Sequence, residues 1–248
     1  MKKIVYFFLL GMLILTACAK RAATPEEWNL LIESGQTVDQ IVQDELARLE
    51  KLSETEEAKS GNWDVIKAAL TKDEEKRPRT LYWYCLPDGS YYTSAEDKVS
   101  AKLNTRGYFP ALLAGENVVG YPIVGKTSGR KSFVVAVPIK VGDKITGFLG
   151  SSIYLSEMWD FLKDQISIPA NYDFYAVNSA GITMFDLETK DFLLDDVLNQ
   201  NSPSLIEAIR TIISNPKGTV YYKWNDKNKI AIFYQSPVSD WRYVLSFY

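Results

Sequence analysis

The side chains that most enzymes use for proton transfer and covalent catalysis are scarce in this sequence. Its 248 residues include no histidine, which removes the commonest general base, the commonest zinc ligand and the usual partner of a serine or cysteine nucleophile. Pairs of acids occur, for example Asp195 and Asp196, but residues adjacent in a chain do not converge on one substrate. We therefore expect a binding protein with no enzymatic activity, no metal and no cofactor.

The first seventeen residues have the layout of a secretory signal peptide. Lys2 and Lys3 form a basic start, residues 4–15 are almost entirely apolar, and the run Leu-Thr-Ala-Cys that ends at Cys18 resembles the lipobox of bacterial lipoproteins. An uncleaved spanning helix is the alternative, but the apolar run is shorter than the roughly 20 residues that such a helix needs. We expect residues 1–17 to be removed, Cys18 to carry lipid, and the protein to be membrane-anchored outside the cytoplasm.

The composition limits the class of partner and the way the fold is held together. The formal net charge is −3 at pH 7, whereas nucleic-acid binding needs clustered positive charge, so we expect no nucleic-acid partner. With lipid on Cys18, Cys85 is the one remaining thiol and no disulfide can form within the chain. Hydrophobic residues make up 46% and aromatic residues 13% of the chain, which makes a sufficient core plausible.

Helical patterns fill the segment 18–75. Thr24 and Glu27 form a capping box with a proline at the first helical position. Gly35 is predicted to end this helix. A second helix is predicted to begin at Thr37, because apolar residues recur at helical spacing beyond it.

Strand patterns replace the helical ones from residue 76 onward. A turn at residues 87–89 joins two aromatic strands, and a short helix is predicted near residues 108–114. An amphipathic helix follows later in the chain, with Ser156 predicted as its cap. Two further strands are predicted between these helices, at 132–139 and 144–153.

The last third of the chain, residues 172–248, repeats this order of elements. Tyr84 aligns with Tyr175 if one insertion is allowed in the turn that follows. The predicted fold class is therefore α+β, with a long N-terminal helix followed by two similar units, each an antiparallel sheet with flanking helices.

Five groups of residues together resemble one known family. They are residues 82–84 with 87–92, 106–109, 126–129, 133–138 and 147–150. The pattern is similar to that of the double Cache domains, extracytoplasmic ligand-sensing modules in which two PAS-like subdomains follow a long N-terminal helix. The resemblance implies a membrane-distal subdomain at 76–155 that holds a small ligand between its sheet and the helix after Arg106. It also implies a linking helix and a membrane-proximal subdomain at 156–248.

The amino-acid-binding branch of that family has a signature that this sequence keeps only in part. In that branch an arginine grips the ligand carboxylate and an aspartate grips its ammonium. Arg106 matches the arginine, and Tyr108 stands where the branch has tryptophan. Ala101 and Ile123 occupy the positions of two tyrosines, and Ser152 occupies that of the aspartate. Since nothing then offsets the burial of an ammonium, a small organic acid or polar metabolite is expected rather than an α-amino acid.

Three polar residues of the predicted ligand site each have a structural alternative. Arg106 either binds an anion through its planar guanidinium or fixes the loop before the helix. Ser152 either hydrogen-bonds a ligand or is a small residue where strand meets helix. Tyr121, beside Pro122, either replaces the missing loop tyrosine or has no part in the site.

Three aromatic residues complete the predicted ligand site. Trp83 and Tyr91, on neighbouring strands, form an aromatic wall of the pocket or pack the sheet. Tyr108 lines the pocket or belongs to the core, as an aromatic side chain at the start of a buried helix commonly does.

Two functions of different classes remain after these arguments. The first is a lipid-anchored, small-molecule-binding protein of the sensor type. It would act through a separate membrane partner, a transmembrane receptor or a transporter, with lipid raising its local concentration there. The alternative is a non-catalytic envelope interaction protein with the same fold and no soluble ligand.

Overall fold

The computed structural model describes residues 21–72, 78–126 and 128–248. The predicted signal peptide and Cys18 lie outside these residues, so cleavage and lipidation stay predictions. Across the described residues, no helix has both the length and the apolar character that a membrane span requires.

The longest element is the helix α1 (Pro25–Ser53). The amide of Glu27 donates to Thr24 Oγ1 at 3.3 Å and the amide of Thr24 donates to Glu27 Oε2 at 2.8 Å, which confirms the predicted capping box. The helix runs along both halves of the molecule. Near its start Tyr172 donates to Glu27 at 2.9 Å, and near its end Asn117 donates to Glu50 at 2.7 Å.

Gly35 does not interrupt α1, so the predicted break is wrong. A Cβ at this position would lie 2.0 Å from Tyr234 Oη and 2.6 Å from the ring of Tyr243, and glycine is therefore what lets the helix approach these rings. This contact outweighs the roughly 1 kcal/mol that glycine costs inside a helix. Thr37, predicted to cap a second helix, instead donates to the Glu33 carbonyl at 3.0 Å within the same helix.

The first subdomain follows two short helices, α2 (Glu56–Lys59) and α3 (Trp63–Leu70). Its elements are β1 (Thr80–Cys85), β2 (Ser90–Thr93), β3 (Lys98–Lys102), α4 (Phe109–Leu113), β4 (Val118–Val124), β5 (Lys131–Val141) and β6 (Lys144–Tyr154). The strands form one antiparallel sheet in the order β3-β2-β1-β6-β5-β4. β3 and β4 were not predicted, because β3 is short and mostly exposed and β4 contains Gly120 and Pro122, which disfavour strands.

The second subdomain repeats the first with a five-stranded antiparallel sheet. Its elements are α5 (Leu155–Gln165), β7 (Tyr172–Val177), β8 (Thr183–Asp186), a 3₁₀ turn (Val197–Asn199), α6 (Pro203–Ser214), β9 (Lys217–Trp224), β10 (Lys227–Gln235) and β11 (Arg242–Phe247). The strand order is β8-β7-β11-β10-β9. The predicted cap of α5 is wrong, because β6 passes directly into the helix at Leu155 and Ser156 lies inside its first turn. Two antiparallel sheets behind a long helix confirm the predicted α+β class.

The two sheets align with one another without an insertion. Both β1 and β7 lead into a turn whose fourth residue is a glycine with positive φ, +86° at Gly89 and +79° at Gly181. This alignment pairs Trp83 with Tyr175. The predicted pairing of Tyr84 with Tyr175 is wrong by one residue, which matters because a shift of one position moves every side chain to the opposite face of a strand.

Trp241, just before β11, joins the two subdomains into one core. Its side chain is fully buried, and its Nε1 donates to the Gly120 carbonyl in β4 at 3.0 Å. Its ring meets Phe133 of β5 edge-on at 5.1 Å. Gly120 has φ +75°, and a Cβ there would lie 2.8 Å from Trp241 Nε1. The interior of one subdomain is therefore completed by a residue of the other.

A buried carboxylate anchors α1 to the second sheet. Oδ1 of Asp39 accepts hydrogen bonds from Ser236 Oγ and Tyr243 Oη, both at 2.6 Å. Burial raises the pKa of the Asp39 carboxyl, while these two hydrogen bonds oppose the rise. The helix is thus held by a polar contact inside an otherwise apolar interface.

Replacing Asp39 separates the role of this hydrogen-bond acceptor from the role of its charge. Asp39→Ala is expected to lower the free energy of unfolding by about 2 to 4 kcal/mol, because two buried hydroxyls lose their acceptor. Asp39→Asn keeps an oxygen for both hydroxyls and is expected to be at least as stable as the native protein at neutral pH. Urea unfolding of the three proteins measures both effects. Equal destabilisation by the two substitutions would contradict this account.

Candidate ligand-binding site

The first subdomain contains a cavity of about 420 Å³, part of it open to solvent, which we call the first cavity. It lies between β1, β6 and the segment that leads into α4. Five of the six residues predicted from the sequence line it, namely Trp83, Tyr91, Arg106, Tyr108 and Ser152. The fold therefore brings together side chains that are up to 69 positions apart in the chain.

Arg106 both fixes a loop and keeps a free donor. Its Nη2 donates to the Val124 carbonyl at the end of β4 at 2.9 Å, so the structural interpretation of this arginine holds. Its Nε is buried and has no hydrogen-bond acceptor among the described residues. Leaving a buried donor of a charged group unsatisfied is unfavourable by about 1–3 kcal/mol or more, and an anion in the first cavity would remove that penalty.

Trp83 forms the wall of the first cavity against β6. Its Nε1 donates to Ser152 Oγ at 3.2 Å, and its indole lies directly over Gly150, where a Cβ would be 2.1 Å from the ring. The hydroxyl of Ser152 accepts from the indole and still has its own proton to donate. The ring of Tyr108 stacks on that of Trp83 with a centroid distance of 6.4 Å.

The two tyrosines that line the first cavity are neutral donors. Tyr108 and Tyr91 are only 4% and 6% exposed. Burial raises the pKa of both hydroxyls, against the opposing effect of the positive charge of Arg106. Both therefore stay protonated at physiological pH and can donate to a ligand.

Tyr121 is the one predicted site residue that does not line the first cavity. A register shift in β4 between Val119 and Tyr121 leaves its ring 39% exposed. There it meets the ring of Tyr108 edge-on at 5.4 Å. It lines a separate, open cleft between the subdomains together with Asp240. Ile123, two residues further along β4, is the residue that lines the first cavity.

Lys126 is a cavity residue that sequence reasoning missed. Its Nζ donates to the Lys102 carbonyl at 2.8 Å and to Thr105 Oγ1 at 2.7 Å, which ties the β4–β5 turn to the loop before α4. The stretch 126–129 was noticed only as part of the family resemblance. Arg106 and Lys126 make the first cavity positively charged, and no carboxylate is among the described residues that line it.

A second cavity, of about 600 Å³ with part of it open to solvent, lies in the second subdomain between its sheet and α6. No residue that lines it was predicted from the sequence. Its lining includes Asp186, whose carboxyl pKa is raised to about 7, mainly by burial.

Comparisons with known proteins show which solved structures share this fold. Neither family models nor curated proteins match the sequence, but many solved structures share its architecture. One is the extracellular domain of the putative histidine kinase rpHK1S-Z16, with a TM-score of 0.71 and 16% identity, covering 88% of this chain and 91% of that one. Another is the ligand-binding domain of the amino acid chemoreceptor PctB of Pseudomonas aeruginosa, in complex with L-Gln. It has a TM-score of 0.71 and 13% identity, and it covers 91% of this chain and 90% of that one.

A third structure is the periplasmic sensory domain of the Campylobacter jejuni chemoreceptor Tlp1. It has a TM-score of 0.64 and 15% identity, and the alignment covers 90% of this chain and 94% of that one. At these identities the likeness concerns the fold. The chain shares with these sensory domains an α+β architecture of an N-terminal helix and two antiparallel sheets.

Proposed function

We propose that this chain is an extracytoplasmic ligand-binding module of the sensor type whose first cavity holds a small organic acid. The observation that carries the proposal is the buried Nε of Arg106, which has no acceptor among the described residues and lies in a cavity with a second cation. A carboxylate there would receive a charge-assisted hydrogen bond. The hydroxyls of Ser152 and Tyr91 are further donors for its oxygens.

The same lining argues against an α-amino acid. The chemoreceptor PctB was solved with L-Gln bound, and such a ligand brings an ammonium as well as a carboxylate. In the first cavity, none of the described lining residues is acidic. Burying an ammonium without a counter-charge is strongly unfavourable. We therefore propose acids that lack an amino group.

We propose from the sequence how ligand binding is passed on to the cell. Lipid on Cys18 would hold the protein at a membrane face outside the cytoplasm. A separate transmembrane receptor or transporter would then respond to the ligand-bound form, at a local concentration raised by the shared membrane.

One observation favours the alternative of an interaction protein without a soluble ligand. The indole of Trp83 already occupies one hydrogen bond of Ser152, and the stacked rings of Trp83 and Tyr108 fill part of the first cavity. If these contacts persist in solution, little room is left for a ligand. A binding screen decides between the two functions.

The test is a thermal-shift and calorimetric screen with acetate, propionate, butyrate, lactate, pyruvate and succinate, and with the standard α-amino acids. A ligand that binds the folded form raises the melting temperature, and we expect this with at least one of the acids. Arg106→Ala should weaken its binding at least 10-fold, which is the effect of losing one charge-assisted hydrogen bond. The control is Arg210→Ala on α6, whose side chain is 64% exposed, and it should bind normally.

Three results would contradict the proposal. Normal binding by Arg106→Ala would show that the acid binds elsewhere. Micromolar binding of an α-amino acid would contradict the ligand class. No response to any of the acids would favour the interaction protein.

A further inference from the structure

The second cavity occupies the position in the second sheet that the first cavity occupies in the first sheet. The strand registers align Trp83 with Tyr175 and Ser152 with Ser246, and each of these residues lines the cavity of its own subdomain. The internal repeat therefore has a cavity at the same place in both sheets. A cavity at this place is the usual form of a small-molecule site.

The lining chemistry of the two cavities differs at equivalent positions. Where β1 has Leu81, β7 has Asp173, and where β4 has Ile123, β9 has Tyr222. The second cavity thus has an acid and a tyrosine hydroxyl where the first has only aliphatic side chains. At these two positions the second cavity therefore has polar groups where the first has apolar ones.

The charge of the second cavity is also opposite to that of the first. Four carboxylates are among the described residues that line it, those of Asp173, Asp186, Glu188 and Asp195, and the one cation in that lining is Lys229. Lys229 is 9% exposed and donates to Asp173 Oδ2, so this pair is already neutralised. Ser246 donates to the same oxygen at 3.2 Å. The other three acids form no ion pair with a residue of the described lining.

Asp186, at the end of β8, is the acid best placed to receive a ligand. Its Oδ1 accepts from the Glu188 amide at 2.8 Å, while its Oδ2 has no donor among the described residues. The pKa of this carboxyl is raised to about 7, mainly by burial and also by the negative charges of Asp173 and Glu188, while the Glu188 amide and Lys229 oppose the rise. A positive group beside Oδ2 would lower the pKa of Asp186 again.

Aromatic rings enclose the rest of the second cavity. The hydroxyls of Tyr175 and Tyr222 meet at 3.4 Å on the sheet side, and the rings of Phe192 and Trp224 meet edge-on at 6.4 Å. Ring faces attract cations and also contact a short apolar chain. The walls suit a ligand with a charged head and an apolar body.

We propose that the second cavity is a second ligand site, independent of the first, which binds a small primary or secondary amine in its protonated form. The ammonium donates to Asp186 Oδ2, and its short apolar chain lies against the aromatic rings. A quaternary ammonium is disfavoured, because it has no N–H to give to the free oxygen. The proposal does not depend on acid binding in the first cavity.

The test uses three probes of similar shape, n-butylamine, n-butanol and butyrate, titrated into the purified protein while the tryptophan fluorescence and the melting temperature are followed. Butylamine is expected to bind and to raise the melting temperature, and butanol is not. Asp186→Asn should weaken butylamine binding at least 10-fold. The matched control is Asp164→Asn, an exposed acid on α5, which should bind butylamine as the native protein does.

Two further variants keep the test decisive. Arg106→Ala should leave butylamine binding unchanged, which separates the two sites. If Asp186→Asn does not fold, Phe192→Ala removes part of the aromatic wall at a half-buried position and should also weaken binding. Circular dichroism of each variant confirms that it is folded before it is titrated.

The affinity for butylamine is expected to rise with pH between about pH 6 and pH 8, because binding requires the ionised form of Asp186 while butylamine stays protonated. The charged groups that face this carboxyl are Asp173 of β7, Glu188 of the following loop and Lys229 of β10. The rise should be absent from Asp186→Asn. No binding of butylamine, equal binding by Asp186→Asn, a flat pH profile of the native protein, or loss of binding in Arg106→Ala would each overturn the proposal.

Discussion

Trp241→Ala is expected to lower the free energy of unfolding by about 3 to 5 kcal/mol, the range for truncating a large aromatic side chain in a core. The ring is fully buried and contacts Phe133 of the first subdomain and Phe185 of the second. Its loss also leaves the Gly120 carbonyl without the indole donor. Urea denaturation followed by far-ultraviolet circular dichroism measures the change.

Two comparisons sharpen this experiment. Trp241→Phe keeps most of the ring and loses the hydrogen bond, so about 1 kcal/mol or somewhat more should be lost. Trp28→Ala truncates a half-buried tryptophan of α1 that contacts Lys217 and should cost clearly less than Trp241→Ala. A loss below about 1 kcal/mol in Trp241→Ala would contradict a core shared by the two subdomains.

The second large effect is the dependence of stability on pH that Asp186 imposes. Burial raises the pKa of its carboxyl to about 7 in the folded protein, from an ordinary value of 3.8. A folded pKa above the unfolded one contributes stability that is fully present below about pH 4 and is lost as the pH rises through 7. The full difference corresponds to at most about 4 kcal/mol. Asp186→Asn lacks this titration, so its stability relative to the native protein should increase steadily from pH 4 to pH 8.

Urea unfolding of both proteins at several pH values, without added amine, measures this difference. Asp173, Glu188 and Lys229 face Asp186 in both proteins, so their own titrations largely cancel in the comparison. Asp164→Asn is the control and should follow the native profile. Parallel profiles for the native protein and Asp186→Asn would show that the Asp186 carboxyl is not titrated in this range.

The elements that the sequence predicted well are those with local signals. The capping box of α1 and the turn at 87–89 depend on a few neighbouring residues, and residues 133–137 of β5 form an apolar run that is typical of a buried strand. Gly35 was misjudged, because its role is set by Tyr234 and Tyr243, about 200 positions away. No local pattern can reveal such a contact.

The two cavities also differ in how well their residues could be predicted from the sequence. Arg106, Trp83 and their neighbours could be predicted because they occur in stretches that resemble a known family. The strand residues that line the second cavity come from five separate strands and share no motif, so only the strand registers bring Asp173 and Asp186 together. The one-residue error in aligning the repeats also concealed that Tyr175 corresponds to Trp83.

The length of α1 determines how far apart its two ends lie along the two subdomains. Its 29 residues span about 43 Å at 1.5 Å per residue. Arg21, just before the helix, lies over the ring of Phe247 near the other end of the described chain, at 4.7 Å. The start of α1 therefore lies beside the second subdomain, and its end lies beside the first. A surface attached before Arg21 would be nearer to the second cavity than to the first.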